Sequence, residues 1–453
     1  MGPIRSRTVT TSPPARSGRL RSPYDREIVR LAVPALGALV AEPLYVLADT
    51  AIVCHLGTRQ LAGLAVAGIV LTAAFAIFNF LAYSTTGAVA RRLGAGRQAD
   101  ATGIGVDAAW LALGLGLALM VVGIVLAPVV VDAMGASSGA RDFAITYLRI
   151  SAVGAPAYLL ALAGAGFMRG MQDTRTTLVI AVGANVVNIA LELLLVYGLD
   201  LGIAGSAWGT VLAQVGAALA YLGIIRRFAR RTGARLRPDA AGVKQVAVIG
   251  GPLVIRTGSL LAVSLTVTAL AARIDDVAVA AHQIAFQVNL LLALALDAIA
   301  IAAQAMVGRF LGAGEPAQAR AASRRMIALG ILCGVVVGIV VAATAPWFPD
   351  LFTDDGHVVD LAAQVLLVVA VLQPLAAVVF VLDGVLIGAG DQRYLAWAMV
   401  VASFGVFAPL AALVAVAGGG LLALWATIAA WMVARAVGMV GRFVGPRWEH
   451  VGA

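Results

Sequence analysis

The stretch Leu93-Gly94-Ala95-Gly96 recurs as Leu311-Gly312-Ala313-Gly314, 218 residues further along the chain. The same offset, without a gap, relates six further pairs of residues. They are Pro34 and Pro252, Pro128 and Pro346, Pro156 and Pro374, Gly170 and Gly388, Asp173 and Asp391, and Arg175 and Arg393. An ungapped offset shared by seven anchors indicates an internal repeat. The chain therefore contains two copies of one unit.

The composition is that of a membrane protein. Of the 453 residues, 61% are hydrophobic and only 12% are charged, about half the charged share of a soluble domain. Apolar segments long enough to span a bilayer as helices occur twelve times. Their limits are 28–54, 61–83, 103–127, 142–167, 177–199, 203–225, 246–271, 278–306, 323–345, 358–387, 394–416 and 418–441. The sequence predicts an all-α polytopic membrane protein whose longer loops lie near 84–102, 226–245 and 307–322.

The repeat divides the twelve predicted helices into an N-lobe, residues 28–225, and a C-lobe, residues 246–441. Six spans return the chain to its starting side, so both copies enter the membrane from the same side. A pseudo-two-fold axis then runs along the membrane normal, as in transporters whose lobes rock about a central cleft. Residues 1–27 are predicted to form a disordered basic tail, residues 226–245 a cytoplasmic linker and residues 442–453 a second cytoplasmic tail.

Arginine placement orients the chain. With a cytoplasmic N-terminus, 26 of the 32 Lys and Arg residues fall on the cytoplasmic side, and three fall on the other side: Arg59, Arg141 and Arg273. Basic residues are enriched in cytoplasmic loops. Both termini are therefore predicted to be cytoplasmic, in a cell (inner or plasma) membrane. The net charge of +9 is explained by the basic residues of these cytoplasmic loops, and no nucleic-acid partner is expected.

Two carboxylates lie inside the first apolar segment, where lipid is expected. Glu42 and Asp49 are seven residues apart, so they share a helix face. A charge at the centre of a membrane helix costs roughly 2.5–3.5 kcal/mol on insertion scales, and such residues mark ion or proton pathways. Pro43, between them, removes a backbone donor and bends the helix.

The fifth and sixth segments supply further polar groups. Asn185, Asn188 and Glu192 fall at positions i, i+3 and i+7 of one helix face, and Thr210 adds a hydroxyl from the next helix. With Asp49 they would form a polar pocket in the N-lobe. Burial disfavours the charged form of a carboxylate, which allows proton loading and release near neutral pH. The same oxygens suit sodium, and the alternative is a hydrogen-bond network that only holds helices together.

The repeat sets the N-lobe carboxylates apart. Asp49 and Glu192 map by the 218-residue offset to Val267 and Leu410. The two copies share their glycines and prolines, whereas the ionisable residues of these helices belong to the N-lobe alone. This asymmetry favours a role in function over a role in the fold.

The C-lobe carries weaker candidates for secondary polar or substrate sites. His282, Gln283 and Asp297 lie in the eighth segment, and Asp383 lies in the tenth. Arg256, in the seventh segment, is placed to pair with either of these carboxylates. A single histidine on a membrane helix is more often structural than a proton relay, although its charge changes near neutral pH.

The sequence does not indicate an enzyme. The glycine-rich repeat lacks the Lys-Ser/Thr of a phosphate-binding loop. Cys54 and Cys333 form neither a disulfide framework nor a metal-ligand spacing. ATP hydrolysis by the chain is excluded on these patterns, and no cofactor or resident metal is expected.

Several motifs together resemble those of the MATE (multidrug and toxic compound extrusion) family, over essentially the whole chain after residue 24. They are Val33-Pro34, Asp49-Thr50, Leu56-Gly57, the run from Gly166 to Thr176, and the run from Asn188 to Glu192. The run from Phe380 to Asp391 is similar to the DinF branch of that family.

The resemblance implies a V-shaped pair of six-helix bundles that exports organic compounds against a proton or sodium gradient. It implies cation coupling by Asp49, Asn188, Glu192 and Thr210, and a bend of the first helix at Pro34. Related members have aspartate where Glu192 stands. The sodium site of the NorM branch uses a carboxylate on the seventh helix, and the seventh segment has none.

The predicted function is secondary active export. Asp49 takes a proton from the outward-facing cleft, the substrate leaves, and the proton is released inside after the lobes rock. The substrate is expected to be an amphipathic or cationic organic compound, and the working unit a monomer.

Two alternatives to this function stay open. A flippase for lipid-linked precursors would need more cationic residues in the cleft than arginines placed in loops provide. The other alternative is a non-transporting membrane scaffold.

Overall fold

A computed structural model describes residues 22–452, and no strand occurs in this range. Twelve spans follow one another, of which eleven are single helices long and apolar enough to cross a membrane and α4 is a pair bent by 50°. Their bounds are α1 Asp25–Cys54, α2 Thr58–Gly94, α3 Gln98–Ala133, α4 Ser138–Val153 with Ala155–Gly170, α5 Thr174–Gly198, α6 Gly202–Thr232, α7 Ala240–Ile274, α8 Asp276–Gly312, α9 Pro316–Thr344, α10 Gly356–Gly388, α11 Gln392–Val416 and α12 Leu421–Val444. The predicted all-α fold of twelve helices in two parallel repeats is confirmed. Most of the predicted N-terminal tail lies outside the described residues.

The loops are shorter than the sequence indicated. The loop predicted near 84–102 is wrong, because α2 continues to Gly94 and α3 begins at Gln98. Within the 226–245 region, only residues 233–239 separate α6 from α7. The arginine-rich helix ends lie beyond the apolar windows, so hydropathy missed them. Arginine is nevertheless a good helix former, and its stem packs along apolar surface while its charge reaches water.

Proline has different effects in different spans. The bend in α4 lies just before Pro156, which lacks the backbone donor of a continuous helix. Pro34 and Pro43 both lie inside α1, which is helical from Asp25 to Cys54. The bend of α1 at Pro34 stays a prediction.

Glycines allow close helix contacts at equivalent positions of the two lobes. A Cβ atom at Gly166 of α4 would overlap the backbone of Ala82 in α2, and one at Gly384 of α10 would overlap Ala300 in α8. The 218-residue offset relates these two contacts. Membrane helices approach closely where their residues are small, so the repeated glycines give both lobes the same internal packing.

The lobes meet at the repeated Leu-Gly-Ala-Gly stretch. Gly94, at the end of α2, packs on the backbone carbonyl of Arg309 in α8, and Gly312, at the end of α8, packs on the carbonyl of Arg91 in α2. Because Arg91 and Arg309 are also 218 residues apart, the contact is reciprocal about the pseudo-two-fold axis. A side chain at either glycine would overlap the opposing backbone.

This contact lies on the side of the protein where α1 begins and α12 ends, which we call the termini side. There, N-lobe residues such as Ile28 and Leu81 belong to one hydrophobic cluster with the C-lobe core. At the opposite, far side, the N-lobe has a separate cluster, which includes Val53, Leu64 and Ala144 and no C-lobe residue. The lobes are therefore joined at the termini side, and the central cleft lies toward the far side.

Ion pairs bridge the lobes on the same side. Arg325 of α9 donates to Asp25 at the start of α1 at 2.6 Å, and Arg309 lies 2.9 Å from Glu27. Arg91 donates to carbonyl oxygens of the C-terminal segment after α12. Polar contacts and close glycine packing therefore close the same face of the protein.

Gly94→Ala is expected to loosen the termini-side contact, because its Cβ would overlap the Arg309 carbonyl. Overpacking of this kind costs about 1–3 kcal/mol. The population with separated lobes should therefore rise several-fold. A cysteine introduced by Ala88→Cys, in protein lacking Cys54 and Cys333, should then react faster with a soluble maleimide.

Gly103→Ala in α3 is the matched control, because nothing lies within 4 Å of the position that its Cβ would take. Equal labelling rates in the Gly94→Ala and Gly103→Ala proteins would contradict the assignment of this contact as the seal between the lobes.

Candidate functional site

A buried polar cluster joins four helices of the N-lobe. Asp49 of α1 is 5% exposed and Glu192 of α5 is fully buried. The hydroxyl of Ser206, in α6, donates to Asp49 Oδ1 at 2.5 Å, and the hydroxyl of Tyr147, in α4, donates to Asp49 Oδ2 at 3.4 Å. The carboxyl groups of Asp49 and Glu192 lie within hydrogen-bonding reach of each other. The cluster thus centres on a pair of carboxyl groups removed from water.

Further oxygens surround this pair. Thr210 donates to Glu192 Oε1 at 3.4 Å, and its hydroxyl lies 2.7 Å from that of Tyr45. Asn188 Oδ1 and Glu192 Oε2 are buried without a hydrogen-bond partner among the described residues. Buried acceptors without a donor are costly in a low-dielectric interior, so these oxygens suit a proton or a small cation.

Close approach of α5 and α6 places Glu192 in the cluster. Gly209 of α6 leaves no side chain between the helices, and a Cβ there would lie 2.9 Å from Glu192 Cγ. Directly after Glu192, α5 winds into a π turn over Leu194–Gly198. Such turns are frequent at functional sites. Tyr197 in this turn donates to Ile52 O at 2.7 Å, which ties α5 to α1.

A cavity of about 220 Å³ lies beside the cluster, between α1, α4, α5 and α6. Glu42, Tyr45, Asn188 and Thr210 line it, together with Arg169 of α4. Glu42 is exposed and lines this cavity. The cavity therefore places a third carboxylate and a guanidinium beside the polar cluster.

The structure brings together the four residues predicted for cation coupling, Asp49, Asn188, Glu192 and Thr210. Asn185 lines the neighbouring cavity, and its amide donates to the backbone carbonyl of α1 at residue 41, at 2.7 Å. This hydrogen bond gives Asn185 a structural contact between α1 and α5.

Sequence reasoning missed three members of the cluster. Tyr45, Tyr147 and Ser206 sit among apolar neighbours in the chain, and hydroxyl side chains are common in membrane helices. The repeat contained a usable signal, because their counterparts at the 218-residue offset are the apolar Val263, Val365 and Leu424.

Two of the predicted C-lobe residues lie outside this cluster. His282 is buried, with Nε2 3.1 Å from the Thr268 hydroxyl. Its ring lies beside Trp425, with 5.9 Å between ring centroids. Gln283 is exposed. Neither side chain lies near the N-lobe carboxyl pair, which belongs to the other lobe.

Asp383 belongs to a separate buried group that we call the triad. Its Oδ2 accepts from Arg256 of α7 at 2.5 Å and from Arg435 of α12 at 3.0 Å. Arg256 therefore pairs with a membrane carboxylate as the sequence indicated, and Asp383 serves as counter-ion to two guanidinium groups.

The two lobes differ in what occupies this place. By the 218-residue offset, Arg256, Asp383 and Arg435 correspond to alanines in the N-lobe. The alanines, Ala38, Ala165 and Ala217, all line the N-lobe cavity. The N-lobe therefore contains open space where the C-lobe contains three charged side chains.

The fold and site define a multi-pass membrane transporter built from two six-helix lobes, with its intramembrane acidic pair in one of them. The MatE family model matches residues 34–194 and 252–413. These two stretches begin 218 residues apart, at the offset of the internal repeat. The chain belongs to the MATE family.

Relatives span most of the chain. The chain is 33% identical over 438 residues to Protein DETOXIFICATION 44, chloroplastic, of Arabidopsis thaliana, covering 93% of this chain and 83% of that protein. It is 26% identical to DNA damage-inducible protein F of Escherichia coli, with 84% of each chain covered. A solved structure of the outward-facing conformation of a multidrug resistance MATE family transporter has a TM-score of 0.84 at 23% identity, covering 92% of this chain and 96% of that one.

Gly209→Ala is expected to destabilise the polar cluster, because the added Cβ would press on Glu192. The cost of overpacking is about 1–3 kcal/mol, so the Tm in detergent should fall. Gly216→Ala, two turns later in α6, is the matched control, since nothing lies within 4 Å of its Cβ position. Both substitutions gain the same helix propensity, so an equal Tm for the two variants would contradict the proposed close packing.

Proposed function

We propose that the protein is a secondary active exporter of amphipathic organic compounds, cationic ones among them, driven by inward flow of protons, with sodium as the alternative coupling ion. The observation that supports this proposal is the close approach of the buried Asp49 and Glu192 carboxyl groups in the N-lobe. Membership of the MATE family supports a transporter over a membrane scaffold.

The acidic pair provides the coupling chemistry. Two carboxylates that share a site removed from water repel each other when both are charged. One proton held between Asp49 and Glu192 removes that repulsion, whereas its loss creates it. Ser206 and Tyr147 both donate to Asp49, so Asp49 is the better stabilised anion and Glu192 the better place for the proton.

Proton loading changes the packing of helices in this proposal. When both carboxyl groups of the pair are deprotonated, the repulsion between Asp49 and Glu192 pushes α1 and α5 apart. This separation takes place beside Gly209, where α5 and α6 are in close contact. The cavity beside the pair would change its volume, and with it the binding of a compound in the N-lobe. Glu42 and Asn188, which line the cavity, are the proposed entry points for the ion.

The described arrangement fits one step of alternating access. If both termini are cytoplasmic, as the arginine distribution predicts, the protein is closed toward the cytoplasm, and the cleft lies toward the outside. The acidic pair would then load from outside. A single charge that crosses a potential of 100 mV gains about 2.3 kcal/mol, enough for modest accumulation. We place the protein in the plasma membrane as a monomer.

A second candidate function is supported by one observation. Arg256 and Arg435 lie inside α7 and α12, as the sequence predicts, and Arg169 lies in the last turn of α4, so not all of the arginines occupy loops. Cationic residues inside the membrane are what a flippase for anionic lipid-linked precursors requires. Flipping of a fluorescent anionic lipid by purified protein in liposomes, without dye export, would favour this candidate.

Asp49→Asn is expected to abolish proton-driven export while expression stays intact, because one member of the acidic pair can no longer ionise. Uptake of a fluorescent amphipathic cation into inverted membrane vesicles measures export. Collapse of the proton gradient and of the sodium gradient, in separate experiments, identifies the coupling ion. Glu192→Gln should have the same effect as Asp49→Asn.

Asp132→Asn provides the control, because Asp132 pairs with Arg141 at 2.5 Å at the partly exposed end of α3. It should leave export unchanged. Export by Asp49→Asn protein at the rate of the unmodified protein would rule out the proposed coupling mechanism.

A further inference from the structure

The triad has guanidinium donors that no described residue satisfies. Arg256 and Arg435 share a single carboxylate oxygen of Asp383, and all three residues are at least nine-tenths buried. Arg256 Nε, Arg435 Nε and Asp383 Oδ1 have no hydrogen-bond partner among the described residues. A buried charge is costly unless it is paired and its donors are satisfied. The triad therefore has unused donors.

Charged groups of both lobes face the triad. Asp297 of α8 and Tyr83 of α2 lie near Arg256, and Arg169 of α4 faces Asp297 from the N-lobe. Arg169 also lines the N-lobe cavity together with Glu42, so the three guanidinium groups have three carboxylates around them. Arg169 Nε is also buried without a partner among the described residues. Guanidinium donors without a partner in the described part of the chain therefore occur in both lobes.

The cluster is reached from the cleft through Arg256. The Arg256 side chain is 11% exposed, against 5% for Asp383 and 3% for Arg435. Tyr83, Arg169 and Asp297 are partly exposed as well. A compound in the cleft would therefore meet Arg256 first, with Asp383 and Arg435 behind it.

We propose that Arg256 binds a carboxylate group of the exported compound, so that amphipathic carboxylates are preferred substrates. The proposal rests on the export function proposed above and specifies its substrate class. Asp383 and Arg435 are positioning residues, because they hold the Arg256 guanidinium through the shared oxygen.

The chemistry favours a carboxylate. A guanidinium presents parallel N–H donors that match the two oxygens of a carboxylate. A carboxylate would also accept from the Arg256 donor that Asp383 leaves without a partner. A zwitterionic compound fits the whole site, because Glu42 in the N-lobe cavity would receive its cationic end.

Two dyes that differ in one group test the proposal. Rhodamine B carries a carboxylate, and its ethyl ester does not. We expect purified protein in detergent at neutral pH to bind rhodamine B about tenfold more tightly than the ester, as fluorescence anisotropy measures, because a charge-assisted bidentate contact is lost in the ester. Equal affinities for the two dyes, measured on the unmodified protein, would overturn the proposal.

Variants locate the contact. Arg256→Gln should remove the preference by weakening rhodamine B binding about tenfold and leaving ester binding unchanged, and Arg256→Lys should retain part of it. Arg149→Gln changes an exposed arginine of α4 and is the control. Equal weakening of both dyes by Arg256→Gln would show that Arg256 has only a structural role.

The same dyes separate this proposal from the export mechanism. Asp49→Asn protein should keep the preference for rhodamine B in binding while it loses proton-driven export. Loss of the binding preference overturns the carboxylate site alone, whereas proton-independent export overturns the coupling mechanism alone.

Discussion

The reciprocal contact of Gly94 and Gly312 with the opposing backbones is the constraint on which the rest of the structure depends. It brings α2 of the N-lobe against α8 of the C-lobe on the termini side. Because the contact obeys the pseudo-two-fold axis, the lobes are joined at one end and diverge toward the other. The central cleft takes its position from this junction, whereas the cavity beside the acidic pair and the triad each lie among the helices of one lobe.

The repeat is symmetric in its packing and asymmetric in its chemistry. Equivalent glycines make equivalent contacts in both lobes, so the same helix arrangement is built twice. The acidic pair occurs in the N-lobe only, and the triad in the C-lobe only. The triad fills a place that is open space in the N-lobe, lined there by three alanines. One lobe therefore offers a cavity with titratable groups, and the other a packed charged interior.

This division of roles separates ion coupling from substrate recognition in the two proposals. Protonation acts on Asp49 and Glu192, at the contact of α1 with α5 and α6. Anion binding acts on Arg256, whose guanidinium is held by Asp383 in the C-lobe. In these proposals, a change of helix packing in the N-lobe would reach Arg256 only through the contacts between the lobes.

The sequence by itself determined the twelve helices and the two parallel repeats, and it predicted the four polar residues that the structure brings together, because hydropathy, a fixed offset and helical periodicity can be read directly from the chain. Only the tertiary structure decided which polar groups meet. Tyr147 and Ser206 reach Asp49 from α4 and α6, and Arg435 reaches Asp383 from α12, across separations that no periodicity within one helix can encode. The helix ends at Gly94 and Gln98 also escaped prediction, since arginine-rich turns outside the bilayer are helical without being apolar. Hydropathy reports contact with lipid, whereas side-chain pairing depends on which helices pack together.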